Sequence, residues 1–254
     1  MAGLQVRAYE MARALSRKGH EVSIAALPPL PPRETDSGVR YIPIDEIANA
    51  SRFDVWIASP LVARRHFARL RNVPFVMDGY EAPFGSFLAH GAALLPSLGD
   101  RVMHDYRNTV LQFMRSLEQA DLILCANENQ RICYLSLLCI LGKINPKYPV
   151  EDMVGIVQSG APPEPPKCNM SANSGKGPVV LWAGGCYSWF DPETFVSAMP
   201  RIITAVPEVR FVFAGLGGRD QLRDEPLEFP AARRVFESIQ DSQKLRARSR
   251  FVAW

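Results

Sequence analysis

Between Gly177 and Ala198 the chain reads GPVVLWAGGCYSWFDPETFVSA, and this stretch constrains the fold more than any other. Val179-Val180-Leu181-Trp182 is short, apolar and β-branched, which predicts a buried strand. Gly184-Gly185 lets the backbone leave the strand tip in conformations closed to residues with a Cβ. Asp191 suits a helix N-cap, Pro192 the first helical position and Glu193 the first turn. Strand, glycine turn and helix start in that order present backbone N–H groups to an anion, typically a phosphate. The same order also arises where a glycine after a parallel strand serves packing alone.

The rest of the chain repeats the alternation. Arg7 to Lys18 predicts a helix, with Ala8, Met11, Ala12 and Leu15 on one face and Gly19 closing it. His20–Ala25, Asp54–Ser59, Pro74–Asp78, Asp121–Ala126 and Val154–Gln158 read as strands. A long helix is expected over Asp100–Gln119, and another opens at Asn127; the second is apolar nearly all round, which predicts burial. Strands separated by helices predict a parallel α/β sheet. Pro28 to Asp36 reads as an exposed loop, and the Pro-rich run followed by S-A-N-S-G-K-G between Ser159 and Pro178 reads as a linker. The expected division is therefore residues 1–160, a linker over 161–178, and residues 179–254. In the last segment a second strand spans Val209–Gly215, a helix runs from about Pro230 to Arg246, and Arg250–Trp254 begins another strand.

The strand, G-G, W-F-D-P turn and helix of the second segment resemble the donor-binding half of glycosyltransferase family 4. These are retaining, nucleotide-sugar-dependent enzymes of GT-B architecture. The block RAYEMARALSRKGHEV and the segments DLILCANENQR and GKINP are similar to parts of the acceptor domain in the same family. The resemblance implies two Rossmann-like, doubly wound parallel-sheet lobes facing each other across a cleft. It also implies a chain truncated at both ends, lacking a first strand before Ala2-Gly3 and the later half of the donor lobe. The implied function is transfer of a sugar from a nucleotide-sugar donor to the hydroxyl of a sugar, lipid-linked or small-molecule acceptor, with retention and no metal or other cofactor. Two other readings stay open: a non-catalytic pseudo-glycosyltransferase or remnant, and another small-molecule-binding α/β protein.

Composition limits the partners. A net charge of +3 is too small to argue for nucleic acid. Arg64, Arg65, Arg69 and Arg71 cluster on an expected helix, either as a solvated face or as a weak peripheral contact with an anionic membrane surface. No apolar run reaches the ~20 residues of a membrane span. The five cysteines show no C-x-x-C pairing, which favours structural thiols in a reducing, cytoplasmic compartment. No zinc signature, P-loop or G-x-S-x-G is present, and Gly215-Leu216-Gly217-Gly218 lacks the third glycine of a dinucleotide fingerprint.

The candidate residues fall in two groups. On the donor side stand Gly3, Arg7, Gly184, Gly185, Trp189, Asp191 and Gly215. Gly3 and Arg7 suit a phosphate at a helix N-terminus, or are a flexible terminus with a surface arginine. Asp191 is equally an ordinary N-cap, and Trp189 equally a packing residue. Many family members carry an arginine and a lysine in the donor turn; Gly185 and Phe190 stand there instead, leaving backbone N–H groups and the helix dipole for an anion. Beyond the strand ending at Asp78, Asp78 and Glu81 are the candidate catalytic carboxylates, with Tyr80 and His90 on the acceptor side; turn capping is the competing role for the two acids.

Overall fold

A computed structural model of the chain describes residues 3–27, 38–48, 52–63, 66–70, 72–80, 83–147, 153–158, 177–214 and 230–252. Every strand pairing among them is parallel. β1 (Val22–Ala26) pairs with β2 (Val39–Pro43) in a small sheet of their own. β3 (Trp56–Ala58), β4 (Phe75–Asp78), β5 (Leu122–Cys125) and β6 (Val154–Ile156) lie side by side in that order in a second sheet. β7 (Val179–Ala183), β8 (Arg210–Ala214) and β9 (Ser249–Val252) form a third. Parallel neighbours need crossovers, so the protein is α/β, with helices between most of its strands. The chain groups into two compact units, residues 1–83 with 108–161, and residues 84–107 with 162–254. The stretch 84–107 therefore groups with the second unit rather than with the sequence around it.

In the first unit, α1 (Gly3–Arg17) begins four residues before the expected start at Arg7, so Gly3 is a helical residue and not part of a loop. Gly19, at φ 91°, takes the left-handed turn that ends the helix, and its N–H bonds back to the Ser16 carbonyl. In α1 Ala12 is buried, whereas Ala8, placed by periodicity on the same face, is exposed. The sequence does not signal β2: an arginine and a closing proline break the apolar pattern of V-R-Y-I-P, yet Val39 and Ile42 are both buried in it. Of the arginine-rich stretch, the described residues form α2 (Pro60–Ala63) and α3 (Phe67–Leu70), the second of which carries Arg69.

The long helix falls where expected, as α5 (Asp100–Gln119), preceded by α4 (Pro83–Leu98). Its C-terminal carbonyls are gathered by the Lys143 ammonium, which donates to Leu117, Glu118 and Ala120. α6 (Glu128–Ile140) starts as the sequence predicts, with the Asn127 side chain accepting from the Gln130 N–H at 3.0 Å. It stops at Gly142, φ 71°, where Gly142 and Lys143 donate back to Cys139 and Leu138. It is not buried all round, however. Tyr134 and Leu138 face the core, while Ile132 and Ile140 are 57% and 77% exposed. The helix packs on β5 and β6 by one face, and its apolar content exceeds what that face can bury.

In the second unit the helices crowd one face of the sheet. Val196, Met199 and Ile203 of α7 (Pro192–Ala205), Ala232, Val235 and Ile239 of α8 (Pro230–Asp241) and Leu245 of α9 (Gln243–Arg248) share one core with Phe211 and Phe213 of β8. The expected single helix to Arg246 is broken at Ser242, whose hydroxyl accepts from the Leu245 N–H and starts α9 anew. β7 is not the buried strand its apolar run predicts. Val180 and Trp182 turn toward the core, and Leu181 on the other side is 58% exposed. A doubly wound sheet would be covered on both faces. Here, among the described residues, β7 alternates like a strand covered on one.

Candidate functional site

Two clusters of the predicted residues take shape, one in each unit. In the first unit Asp78 closes β4, and the chain leaves the strand through Gly79 and Tyr80. This turn lies at the carboxyl ends of parallel strands, where open α/β sheets bind ligands. It is held from three sides. The Tyr134 hydroxyl donates to the Gly79 carbonyl at 2.7 Å, and the Gly79 N–H donates to Leu124 at 2.7 Å. Gln130 donates to the Tyr80 carbonyl while accepting from the Ala126 N–H, at 2.9 and 2.7 Å. Gly79 must be a glycine because a Cβ there would lie 2.7 Å from the Tyr134 ring. Burial of Tyr134 raises its pKa well above the usual phenol range, so the hydroxyl stays a donor.

Arg7 supplies the third hold. Its Nε lies 3.0 Å from both oxygens of Asp78, and Nη1 donates to the Val157 carbonyl just past β6 at 2.9 Å. The guanidinium also sits 4.8 Å from the centre of the Tyr80 ring. Both charged side chains are over nine-tenths buried. Thus Arg7, Asp78 and Tyr80, predicted separately, form one cluster, and Arg7 is not a surface arginine. Asp78 is not a turn cap either: its carboxylate goes to Arg7. The remaining nitrogen, Nη2, is buried without a hydrogen-bond partner among the described residues. Gly3 is the first residue of the same helix, and Glu81 lies outside the described residues.

In the second unit the predicted turn after β7 is present. Gly184, at φ 141°, has open space around it and a backbone that favours glycine. Gly185 is a glycine for another reason: a Cβ would meet the Tyr187 ring at 2.5 Å. A single helical turn of the tighter 3-10 kind, Ser188–Phe190, leads to Asp191. Asp191 is the one non-glycine residue with positive φ among the described residues, at 50°. It ends that turn through its N–H to Ser188 and opens α7 by accepting from the Thr194 N–H, both at 3.3 Å. A left-handed aspartate tolerates this strain better than most residues, because its short side chain bonds locally.

The N–H groups expected to serve an anion are partly taken. Gly184 donates to Ala214, and Thr194 to Asp191. Glu193, in the first turn of α7, is held by Arg234 through two bonds of 2.9 and 2.7 Å. What the turn does present is aromatic: Trp189 and Phe190 are 37% and 54% exposed. His90, on α4, meets Trp189 edge-on with centroids 6.4 Å apart, so two residues predicted for opposite sides of the site are neighbours in one unit. Tyr187 was missed; its place two residues before Trp189 in a glycine turn was the available signal.

Gly215 lies outside the described residues, as do Arg64, Arg65 and Arg71. Among the described residues no group of three His, Cys, Asp or Glu is placed to hold a metal ion, and no helix is long and apolar enough to cross a membrane. Cys125 and Cys186 are buried free thiols, Cys133 and Cys139 exposed ones. No protein-family model matches the chain, and no curated protein matches it.

Proposed function

We propose that the protein is a cytoplasmic glycosyltransferase of GT-B type that takes a nucleotide-sugar donor at the turn after β7. The observation that carries this reading is the geometry of that turn. A glycine-opened strand tip, an exposed Trp189 and a helix started by a left-handed Asp191 follow one another in the W-F-D-P segment on which the resemblance rests. In the first unit, Tyr80 just past β4 would lie on the acceptor side, with the buried Arg7–Asp78 pair holding the turn behind it. Following the resemblance, transfer retains the anomeric configuration and uses no metal; helix and backbone dipoles steady the leaving diphosphate.

A second reading, a sugar-nucleotide-binding protein without turnover, is favoured by the commitment of Asp78 to Arg7. Calorimetric titration of the full chain with a panel of sugar nucleotides, followed by a transfer assay with sugar and lipid-linked acceptors, tests both. Saturable binding with turnover supports the transferase; binding without turnover supports the second reading. If no sugar nucleotide binds, both are wrong.

A further inference from the structure

We propose that α4 is a dimerisation helix, through which two copies of this chain pair antiparallel about a twofold axis. The inference is independent of the donor reading.

From Ala82 to Gly99 the sequence holds no Lys, Arg, Asp or Glu. One side of α4 is accounted for within the second unit. His90 meets Trp189, and a Cβ on Gly91 would come within 3.3 Å of Val102. The other side is open. Among the described side chains between residues 85 and 95, Gly85, Leu88, Ala92 and Leu95 are exposed, while those at 89–91, 93 and 94 are partly covered. The exposed positions follow one another at steps of 3, 4 and 3 residues, the narrow seam of a helix that packs lengthwise on another helix. Leu88 and Leu95 are 56% and 45% exposed along it.

The order of sizes along the seam names the partner. Gly, Leu, Ala and Leu alternate small with large. Against an identical helix running the other way, with the axis level with residue 90, each leucine meets a small residue. Leu88 faces Ala92 of the second copy, and Leu95 faces its Gly85. Layers of large against small let two helices approach closely and leave no voids. A parallel pair would set leucine on leucine and leave the Gly85 and Ala92 layers empty. Gly85 is the independent sign. A Cβ on it would have nothing within 4 Å in its own chain, and its φ is not positive, so neither packing nor backbone requires glycine there. Glycine weakens a helix relative to alanine, and a second copy supplies the close approach that makes its smallness useful. The seam carries no charge, so two identical faces meet without repulsion. Four layers make a short interface of the transient class, with an expected Kd of about 10–100 μM.

Sedimentation equilibrium of the full chain, from about 5 μM to about 500 μM, tests this. Ala92→Leu sets leucine against Leu88 of the second copy, and Leu88→Glu brings a charge into the seam. Each should weaken the dimer about tenfold or more. Leu88→Ala with Ala92→Leu exchanges large for small in every affected layer, so the double variant should return to within about threefold of the parent. Both positions are exposed, so far-UV spectra and urea midpoints of the monomeric variants should match those of the parent. The proposal is overturned if the parent stays monomeric at about 500 μM, if both single variants dimerise like the parent, or if the exchange does not restore the dimer. A dimer strengthened by Ala92→Leu would be parallel, which also overturns it. Flotation of a monomeric parent with phosphatidylcholine vesicles, lost with Leu88→Glu, would assign the seam to a lipid surface instead.

Discussion

Arg7 and Asp78 stand 71 residues apart in the chain and meet with Nε 3.0 Å from both carboxylate oxygens, each side chain over nine-tenths buried. The pair joins the first turns of α1 to the end of β4, and through Val157 to the end of β6. Two charges removed from water hold their place only together, because either one alone would be buried without compensation.

Removing both partners should therefore cost less than the two single removals added together. Arg7→Met or Asp78→Asn alone is expected to destabilise by about 3–5 kcal/mol, and the double variant by clearly less than the sum. Urea midpoints of the four proteins measure this. Additive losses would mean that the two side chains do not depend on each other.

Asp191 combines a positive φ with a capping bond to Thr194, and substitutions separate the two. Asp191→Ala loses the cap and keeps the strain, for an expected loss of about 1–2 kcal/mol. Asp191→Gly loses the cap but relieves the backbone, and Asp191→Asn keeps both, so both should melt closer to the parent. A glycine variant no more stable than the alanine variant would show that the left-handed backbone carries no strain.

The parts of this structure legible in the sequence are those set by local chemistry. Asn127, Asp191, Gly19 and Gly142 announce helix ends because caps and left-handed turns depend on a few adjacent atoms. The parallel strands at Phe75–Asp78 and Leu122–Cys125 announce themselves by short apolar runs. What the sequence did not show depends on partners far along the chain. Nothing near Arg7 indicates that it is buried against Asp78, and nothing in the apolar run of α6 indicates which side stays open. The requirement for glycine at 185 was legible, but not its cause: the Tyr187 ring packs against it, two residues later, because of how the turn folds.

Burial pushes the Cys186 thiol up from 9.0 to about 12, and raises that of Cys125 as well. A thiol whose folded pKa is raised favours the native state fully below its unfolded value, and that contribution is lost as pH rises toward the folded one. Stability should therefore fall as pH rises from 9 toward 12, and Cys186→Ala should flatten part of the slope. Iodoacetamide at pH 8 with peptide mapping should label Cys133 and Cys139 and spare Cys125 and Cys186 until the chain is unfolded. Labelling of Cys186 in the native protein at the rate of Cys139 would contradict its burial.

Gly185 offers the sharpest separation of packing from ligand approach. An Ala at 185 meets the Tyr187 ring at 2.5 Å, so Gly185→Ala should push Tyr187 off its place and disturb the stack with Trp189. Overpacking of this kind is expected to destabilise by about 1–3 kcal/mol and to weaken nucleotide binding. In a Tyr187→Ala background the new methyl has room, so the added loss of stability from Gly185→Ala should shrink to a few tenths of a kcal/mol. If the glycine also admits a phosphate, nucleotide affinity stays sensitive to the methyl in that background, although stability no longer is. Thermal melts and calorimetric titrations of the parent, both single variants and the double variant read the two effects separately. A stability loss unchanged by removal of Tyr187 would show that the ring is not what requires glycine at 185.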